Sequence, residues 1–371
     1  MASCSANSLW YLDFVFPYLA MLAVPSSFAL TGARRAGLLL FAVGLLYWLM
    51  IGFRFHIGMD WNNYLRIYER TQHLSTNDVF FGREPGFTAL NWLAGSLGGL
   101  IFVNAVGALV FCWGFFSVAR RCREPFIAIV VATPLLVVGF AMSGARQSIA
   151  LGIIFYLFAT WENRRVLSRV ALVLFASLFH FSAIFILVFV AISANASIIV
   201  RTAGVLLMVP AILLIVKFAP SSMDTYADTY AGSQRLSAPG AIVQVGVIAL
   251  PAFFYLLIRR RWSEVNGESP LYRDLALASI VAIPVIAVSS VGAYRFALYF
   301  WPVAMYVCAG IPALIENAFA RAFYRLIIVL ASLALLIGWL TFANNKGAWL
   351  PYQNWLLQPA DAELFRRAYS N

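Results

Sequence analysis

The residues best suited to chemistry are Arg54, Asp60, Glu84, Arg146, His180 and Arg295, each set among apolar or aromatic neighbours. An ionisable group held at membrane depth costs about 3 kcal/mol on insertion scales, so it usually faces a wet cavity or a charged partner. Two arginines, Arg146 and Arg295, suit a doubly charged anion, and a diphosphate fits that better than a carboxylate. Arg54 is a third, assisting cation. His180, in Leu178-Phe-His-Phe-Ser182, carries an imidazole that titrates near about pH 6.5 and can take a proton from a hydroxyl or orient it. Asp60 and Glu84 are the other candidate bases. Each also stands where a helix begins, Asp60 before Trp61-Asn-Asn-Tyr64 and Glu84 before Pro85, so helix capping accounts for either one alone.

Local pattern adds geometry. Gly144-Ala-Arg146-Gln147-Ser148 opens an apolar helix, placing Arg146 beside free backbone N–H groups in an anion-binding arrangement, with the Gln147 amide as a neutral contact. Its plainer alternative is an arginine snorkelling to lipid headgroups. Val291-Gly-Ala-Tyr-Arg295-Phe-Ala-Leu-Tyr299-Phe-Trp-Pro302 reads as the start of another helix with Arg295 on its first turn. Trp61, Tyr64, Asn91 and Tyr299 are weaker candidates for sugar binding, by stacking or hydroxyl contacts, because interfacial aromatic belts give the same composition.

The elements that must position these groups are membrane helices. Of the 371 residues, 63% are hydrophobic and 11% charged, whereas a soluble domain carries about 25% charged residues. The net charge of +11 resides in short clusters between apolar runs: Arg34-Arg35, Arg120-Arg121-Arg123, Arg164-Arg165-Arg169 and Arg259-Arg260-Arg261. These are the cytoplasmic flanks that the positive-inside rule expects, and they argue against nucleic acid as a partner. Cys4, Cys112, Cys122 and Cys308 show neither metal-ligand nor disulfide spacing.

Apolar runs over residues 9–30, 36–53, 99–118, 125–142 and 147–161 span the first half. With Arg34-Arg35 inside, residues 54–98 form a large external loop with short amphipathic helices, in which Trp61, Tyr64, Leu65 and Tyr68 recur at helical spacing. Residues 166–193 read as a hairpin of two short helices turning at His180, because a single crossing would put Arg259 to Arg261 outside. Residues 203–219 then rise, 221–239 are external, 241–258 descend, 274–291 rise, 296–315 descend and 323–342 rise. Residues 343–371 form an external tail whose Trp349, Tyr352 and Trp355 suit the membrane interface. The expectation is one all-α polytopic domain over residues 1–371, with about 11–12 transmembrane or half-membrane helices, and the candidate residues sharing one outward-facing cavity.

In this order the motifs resemble the EpsG-like branch of the Wzy-type polysaccharide polymerases: Arg54 with Gly58-Met-Asp60-Trp61-Asn-Asn-Tyr64, Glu84-Pro-Gly-Phe87, Arg146-Gln147, His180-Phe-Ser182 and Arg295-Phe-Ala-Leu-Tyr299-Phe300. Pro351-Tyr352 resembles the family's tail, and Trp61 stands where Tyr or a similar aromatic is usual. The resemblance implies a GT-C-like architecture and a multi-pass glycosyltransferase of the bacterial inner membrane that joins repeat units carried on undecaprenyl diphosphate at the periplasmic face. It implies no metal, no cofactor and no nucleotide-sugar, and a chain-length regulator in the same membrane is a further partner to expect. The residues leave His180, Asp60 and Glu84 open as the base.

Other readings predict other patterns. An O-antigen ligase would use the same diphosphate site with a different acceptor. A membrane O-acyltransferase would open its histidine toward cytoplasmic acyl-coenzyme A. A flippase would show two related halves and charges through both leaflets, a pattern the chain lacks.

Overall fold

In a computed structural model of the chain, residues 4–33, 37–82, 84–193, 240–288 and 290–357 are described. The expectations for Arg34-Arg35, for residues 203–219 and 221–239, and for the tail beyond residue 357 lie outside them.

The described residues are helical throughout, apart from turns and one isolated antiparallel bridge between Arg54 and Asn354. Helices α1 (Cys4–Thr31) and α2 (Gly37–Gly52) lead into a loop carrying α3 (Trp61–Gln72), α4 (Thr76–Phe81) and α5 (Pro85–Ala94). Then come α6 (Gly99–Arg121), α7 (Pro125–Ala132), α8 (Ala145–Ala159), α9 (Val166–Ser177) and α10 (Leu187–Ser193). After residue 239 follow α11 (Ala241–Leu257), α12 (Arg259–Asn266), α13 (Pro270–Val288), α14 (Ser290–Ala297), α15 (Trp301–Gly310) and α16 (Ala318–Phe342).

Helix α7 is the axis of the bundle. It is apolar on every side and wholly buried, the signature of a helix surrounded by others, and it packs against α1, α6, α15 and α16. Pro134 has no N–H for the helical ladder, and the chain continues from α7 as a π-helix, Thr133–Ala141. Its wider turn closes with Met142 N donating to Val137 O.

Helices α6 and α8 pack closely because glycine faces glycine. A Cβ on Gly114 would lie 1.8 Å from the Gly152 carbonyl oxygen, and one on Gly152 would lie 2.3 Å from that of Val110. The two backbones therefore touch, as small residues allow in membrane helices. By contrast α16 is the lipid-facing element: it is long and strongly apolar, and Phe319, Leu330 and Phe342 are exposed.

Helices α6 and α16, together with Pro270–Ala287 and Ser290–Leu314, are long and apolar enough to cross a membrane. α11 and α12 make a further span if counted together, bent by 87°. Helix α8, with 15 residues, covers only about 22 Å at 1.5 Å per residue. The chain is an all-α, multi-pass membrane protein.

Two placements differ from the sequence reading. Arg295 does not begin a helix: the chain is helical from Ser290, the bend comes later at the 3-10 turn Leu298–Phe300, and Arg295 falls in the last turn of α14. It therefore lacks free N–H groups beside it. The tail aromatics turn inward rather than to the interface. Trp349 is buried and donates to Val138 O at 2.8 Å, Tyr352 donates to Met50 O at 2.8 Å, and Tyr18 donates to Trp349 O at 2.6 Å. Indole and phenol groups enclosed among helices find backbone acceptors there.

Candidate active site

Glu84 is the hub. Its backbone is left-handed, with φ 50°, a conformation that costs a non-glycine residue about 1–3 kcal/mol and persists only where surroundings enforce it. The enforcing contact comes from Gly86, which stands so close to the turn after α9 that its N–H donates to Leu178 O at 3.0 Å. A Cβ there would meet Leu178 Cβ at 3.0 Å. Glu84 occupies the N-cap position of α5 without making a cap hydrogen bond. Its carboxylate instead accepts from Arg146 Nη1 at 2.6 Å and pairs with His180 Nδ1 at 2.9 Å, while the Phe181 N–H donates at 3.4 Å.

Each partner is presented by a break in a helix. His180, in extended conformation, lies between α9 and the 3-10 turn Phe181–Ile186. Arg146 lies in the first turn of α8, as the sequence suggested, and Tyr64 of α3 supports it. The Tyr64 hydroxyl accepts from the Arg146 backbone N–H at 3.4 Å and its ring lies 5.8 Å from the guanidinium. Burial alone would push the Glu84 carboxyl up, but the hydrogen bond to His180 and the Arg146 charge outweigh it and hold it down to about 2. His180, in a turn that belongs to neither short helix, shifts the other way from a typical ion-pair histidine. Burial lowers it, Glu84 opposes that, and the charges of Arg295 and Arg146 add to the lowering. The imidazole is thus neutral, donating from Nδ1 to Glu84 and leaving Nε2 as a proton acceptor.

A second chain of contacts brings Arg295 alongside. Gln147 Nε2 donates to the Arg295 backbone carbonyl at 2.8 Å, and the Tyr299 hydroxyl, four residues further on, bonds Ser182 Oγ at 2.8 Å. Gln147 thus positions α14 against α8, rather than offering its amide to a ligand. Ser182 belongs to the His180-Phe-Ser182 motif but has no role in the sequence reading; the structure makes it a partner of Tyr299.

The six ionisable candidates are not one contact cluster, although Asp60 acts electrostatically on Tyr64 together with Arg146 and on Tyr294 together with Arg295. Glu84, Arg146 and His180 are in direct contact, with Arg295 beside them. Arg54 is 2% exposed and sealed elsewhere, donating to Ile51 O at 2.5 Å and Asn104 Oδ1 at 3.1 Å. Asp60 precedes α3 at the N-cap position but makes no side-chain cap bond. The suggested sugar contacts also need correction: Trp61, Tyr64, Asn91 and Tyr299 are all buried. Trp61 packs on Phe55 and His56, Tyr64 on Phe87, and Asn91 Nδ2 donates to Phe87 O. They hold the loop together. Among the described residues no three His, Cys, Asp or Glu side chains converge as a metal site would require.

A multi-pass helical bundle with a carboxylate, an imidazole and a guanidinium in contact on helix breaks is the class of protein that this fold and site define. The model of the EpsG family matches residues 37–354, and the chain belongs to that family. The family's function is of polysaccharide polymerase type, which places the chain in polysaccharide biosynthesis. No curated protein and no solved structure matches the chain.

Proposed function

We propose that the protein is a glycosyltransferase that transfers a growing glycan from undecaprenyl diphosphate to an incoming lipid-linked repeat unit at the periplasmic face of the inner membrane. The observation that carries this reading is Glu84 joined at once to His180 and Arg146, with Arg295 adjacent. With His180 neutral, the group carries two positive charges and one negative, an environment that attracts an anion.

In this scheme Arg146 and Arg295 hold the donor diphosphate. The acceptor hydroxyl gives its proton to His180 Nε2 as its oxygen bonds to the anomeric carbon. The bond from that carbon to the diphosphate oxygen breaks, and the electron pair leaves with the diphosphate, where the two guanidinium groups stabilise it. Glu84 fixes the imidazole tautomer and orientation, which ranks His180 as the base ahead of Asp60 and Glu84. The outward orientation rests on the basic clusters at Arg120 to Arg123 and Arg164 to Arg169, which the helix order sets at the opposite end of the bundle from Glu84, and on Arg259 to Arg261 of α12, a helix whose Val265 carbonyl accepts from Arg123 at 3.2 Å.

The test is purified protein with a lipid-diphosphate-linked repeat unit, read as a polymer ladder on a gel. A ladder from the wild type that disappears in Arg146→Ala and His180→Ala is expected. A ladder persisting in both variants would sink the scheme, and movement of the lipid-linked unit across vesicle membranes without a ladder would make the protein a transporter.

A further inference from the structure

Helices α6 and α8 run side by side in the same direction, with Gly107 against Ile149 and Trp113 against Tyr156. Both end at the far side of the bundle from Glu84, about 22 Å along α8 from Arg146. A stack of three side chains is built there. The Trp113 and Tyr156 rings lie with centroids 3.8 Å apart, and the Arg164 guanidinium sits over Tyr156, 4.9 Å from its centroid. Arg164 is also fixed at its edge: Nε donates to Thr160 Oγ1 at 2.7 Å and Nη1 to Ser168 Oγ at 3.1 Å. Its Nη2 has no hydrogen-bond partner among the described residues.

The partners of Arg164 are all neutral, and its neighbours bring no counter-charge. Other arginines at this end are paired, Arg259 with Glu268, Arg273 with Asp274 and Arg325 with Glu124. Among the described residues Arg120, Arg121, Arg164 and Arg165 form no ion pair, and Glu162, the carboxylate of the same loop, pairs with none of them. Like charges gathered in this way repel one another unless an anion comes from outside. The face of α6 beside them shows what carries it. Leu109, Trp113 and Arg120 recur at helical spacing on one exposed side of α6, with Leu109 54% and Trp113 49% exposed. Toward the helix end that side passes from aliphatic chain to indole to guanidinium. A phospholipid presents its acyl chain, glycerol ester and phosphate in the same order, and indole rings favour the level of the ester.

We propose that this corner binds one anionic phospholipid of the surrounding leaflet. Its phosphate accepts from Arg164 Nη2 and from the exposed Arg120 and Arg165, and an acyl chain lies along α6 past Trp113 and Leu109. The hydrogen bonds and the aromatic stack hold Arg164 in place beforehand, so binding costs little side-chain entropy. A zwitterionic lipid carries its own cation and leaves the arginines without a net counter-charge. The site stands at the other end of α8 from Arg146 and needs neither the donor diphosphate nor the transfer reaction.

The experiment is thermal unfolding of the full chain in dodecyl maltoside, followed by tryptophan fluorescence and titrated at constant ionic strength with phosphatidylglycerol, phosphatidylcholine or glycerol phosphate. Phosphatidylglycerol should raise the melting temperature along a saturating curve, and the other two should raise it far less. Arg164→Gln should move the half-saturation point to about tenfold higher phosphatidylglycerol. Arg120→Gln, at an exposed position that the fold does not use, should move it in the same direction and serves alone if Arg164→Gln does not fold. Arg260→Gln removes the same charge from an exposed position on α12 and should leave the midpoint in place. Equal responses to the two phospholipids would overturn the proposal in favour of general lipid solvation. A response to glycerol phosphate as large as that to phosphatidylglycerol would overturn it in favour of a free-anion site. A midpoint that moves equally in Arg120→Gln and Arg260→Gln, or in neither, would overturn it in favour of diffuse charge attraction.

Discussion

His180 Nδ1 lies 2.9 Å from Glu84 Oε1 across 96 residues of sequence, and the other Glu84 oxygen faces Arg146. Glutamine at position 84 can satisfy only one of those donors, since its NH2 group would face the other. Glu84→Gln should therefore lower the polymerisation rate, and Glu84→Ala should lower it further, by about 10²-fold or more, the scale of a misplaced general base. Rates of ladder formation for the two variants at equal amounts of folded protein decide this. Equal rates in Glu84→Ala and wild type would remove Glu84 from the mechanism.

The same pair sets the pH response. His180 is held below its ordinary 6.5, first by burial, so it stays unprotonated down to a more acidic pH than a free histidine. Activity should hold at pH 6.5 and decline at lower pH as Nε2 takes up a proton. Glu84 favours the protonated ring, so in Glu84→Gln the residual activity should decline at still lower pH. A pH profile of initial rates checks both directions, and a midpoint above 6.5 in the wild type would contradict them.

Gly86→Ala tests position without touching charge. The added methyl would press on Leu178 Cβ and its carbonyl, at 3.0 and 3.2 Å, and move α5 away from the turn that carries His180. The expected outcome is a drop in rate of about tenfold, with overpacking costing about 1–3 kcal/mol in stability. Ser182→Ala, also near His180, removes the bond to Tyr299 and provides a comparison that leaves the Glu84 backbone alone.

Gly152→Ala should act on the fold instead. Its Cβ would fall 2.3 Å from a backbone oxygen, which no rotamer change relieves, so α6 and α8 must separate. A loss of at least about 3 kcal/mol is expected, read as a lower melting temperature and less folded protein. Gly246→Ala, where a Cβ would meet nothing within 4 Å, should be neutral or slightly stabilising because it sits within α11.

The spans were legible because membrane burial demands long apolar runs and basic flanks, and α2, α6, α8 and α16 begin and end near where those signals change. Glu84, Arg146 and His180 stood out for the same reason, as charges in apolar surroundings. Less visible was how the chain divides those charges. Arg54 reads as a cation assisting Arg146 and Arg295, and only the packing of α2, α6 and α8 encloses it with Asn104 while leaving Arg146 against Glu84. Asn104 offered a signal, being an amide within the apolar run of α6. Arg295 reads as a helix start because the apolar spans 274–291 and 296–315 divide just before it, yet α14 runs from Ser290 to Ala297 and the chain bends only at Leu298. Trp61, Tyr64, Asn91 and Tyr299 have compositions that serve sugar contact and loop packing equally, and burial alone distinguishes the two.

The bridge between Arg54 and Asn354 has a consequence in the order of synthesis. Phe55 N donates to Gln353 O and Trp355 N to Phe53 O, so the end of α2 is covered by residues that leave the ribosome 300 positions after Arg54. Until then Arg54 lacks its lid, and α2 must wait in the membrane with a charge at its end still in contact with water. The enclosure around Arg54 is thus among the last parts of the molecule to close, and a premature stop before Asn354 would leave an inserted bundle with that enclosure open.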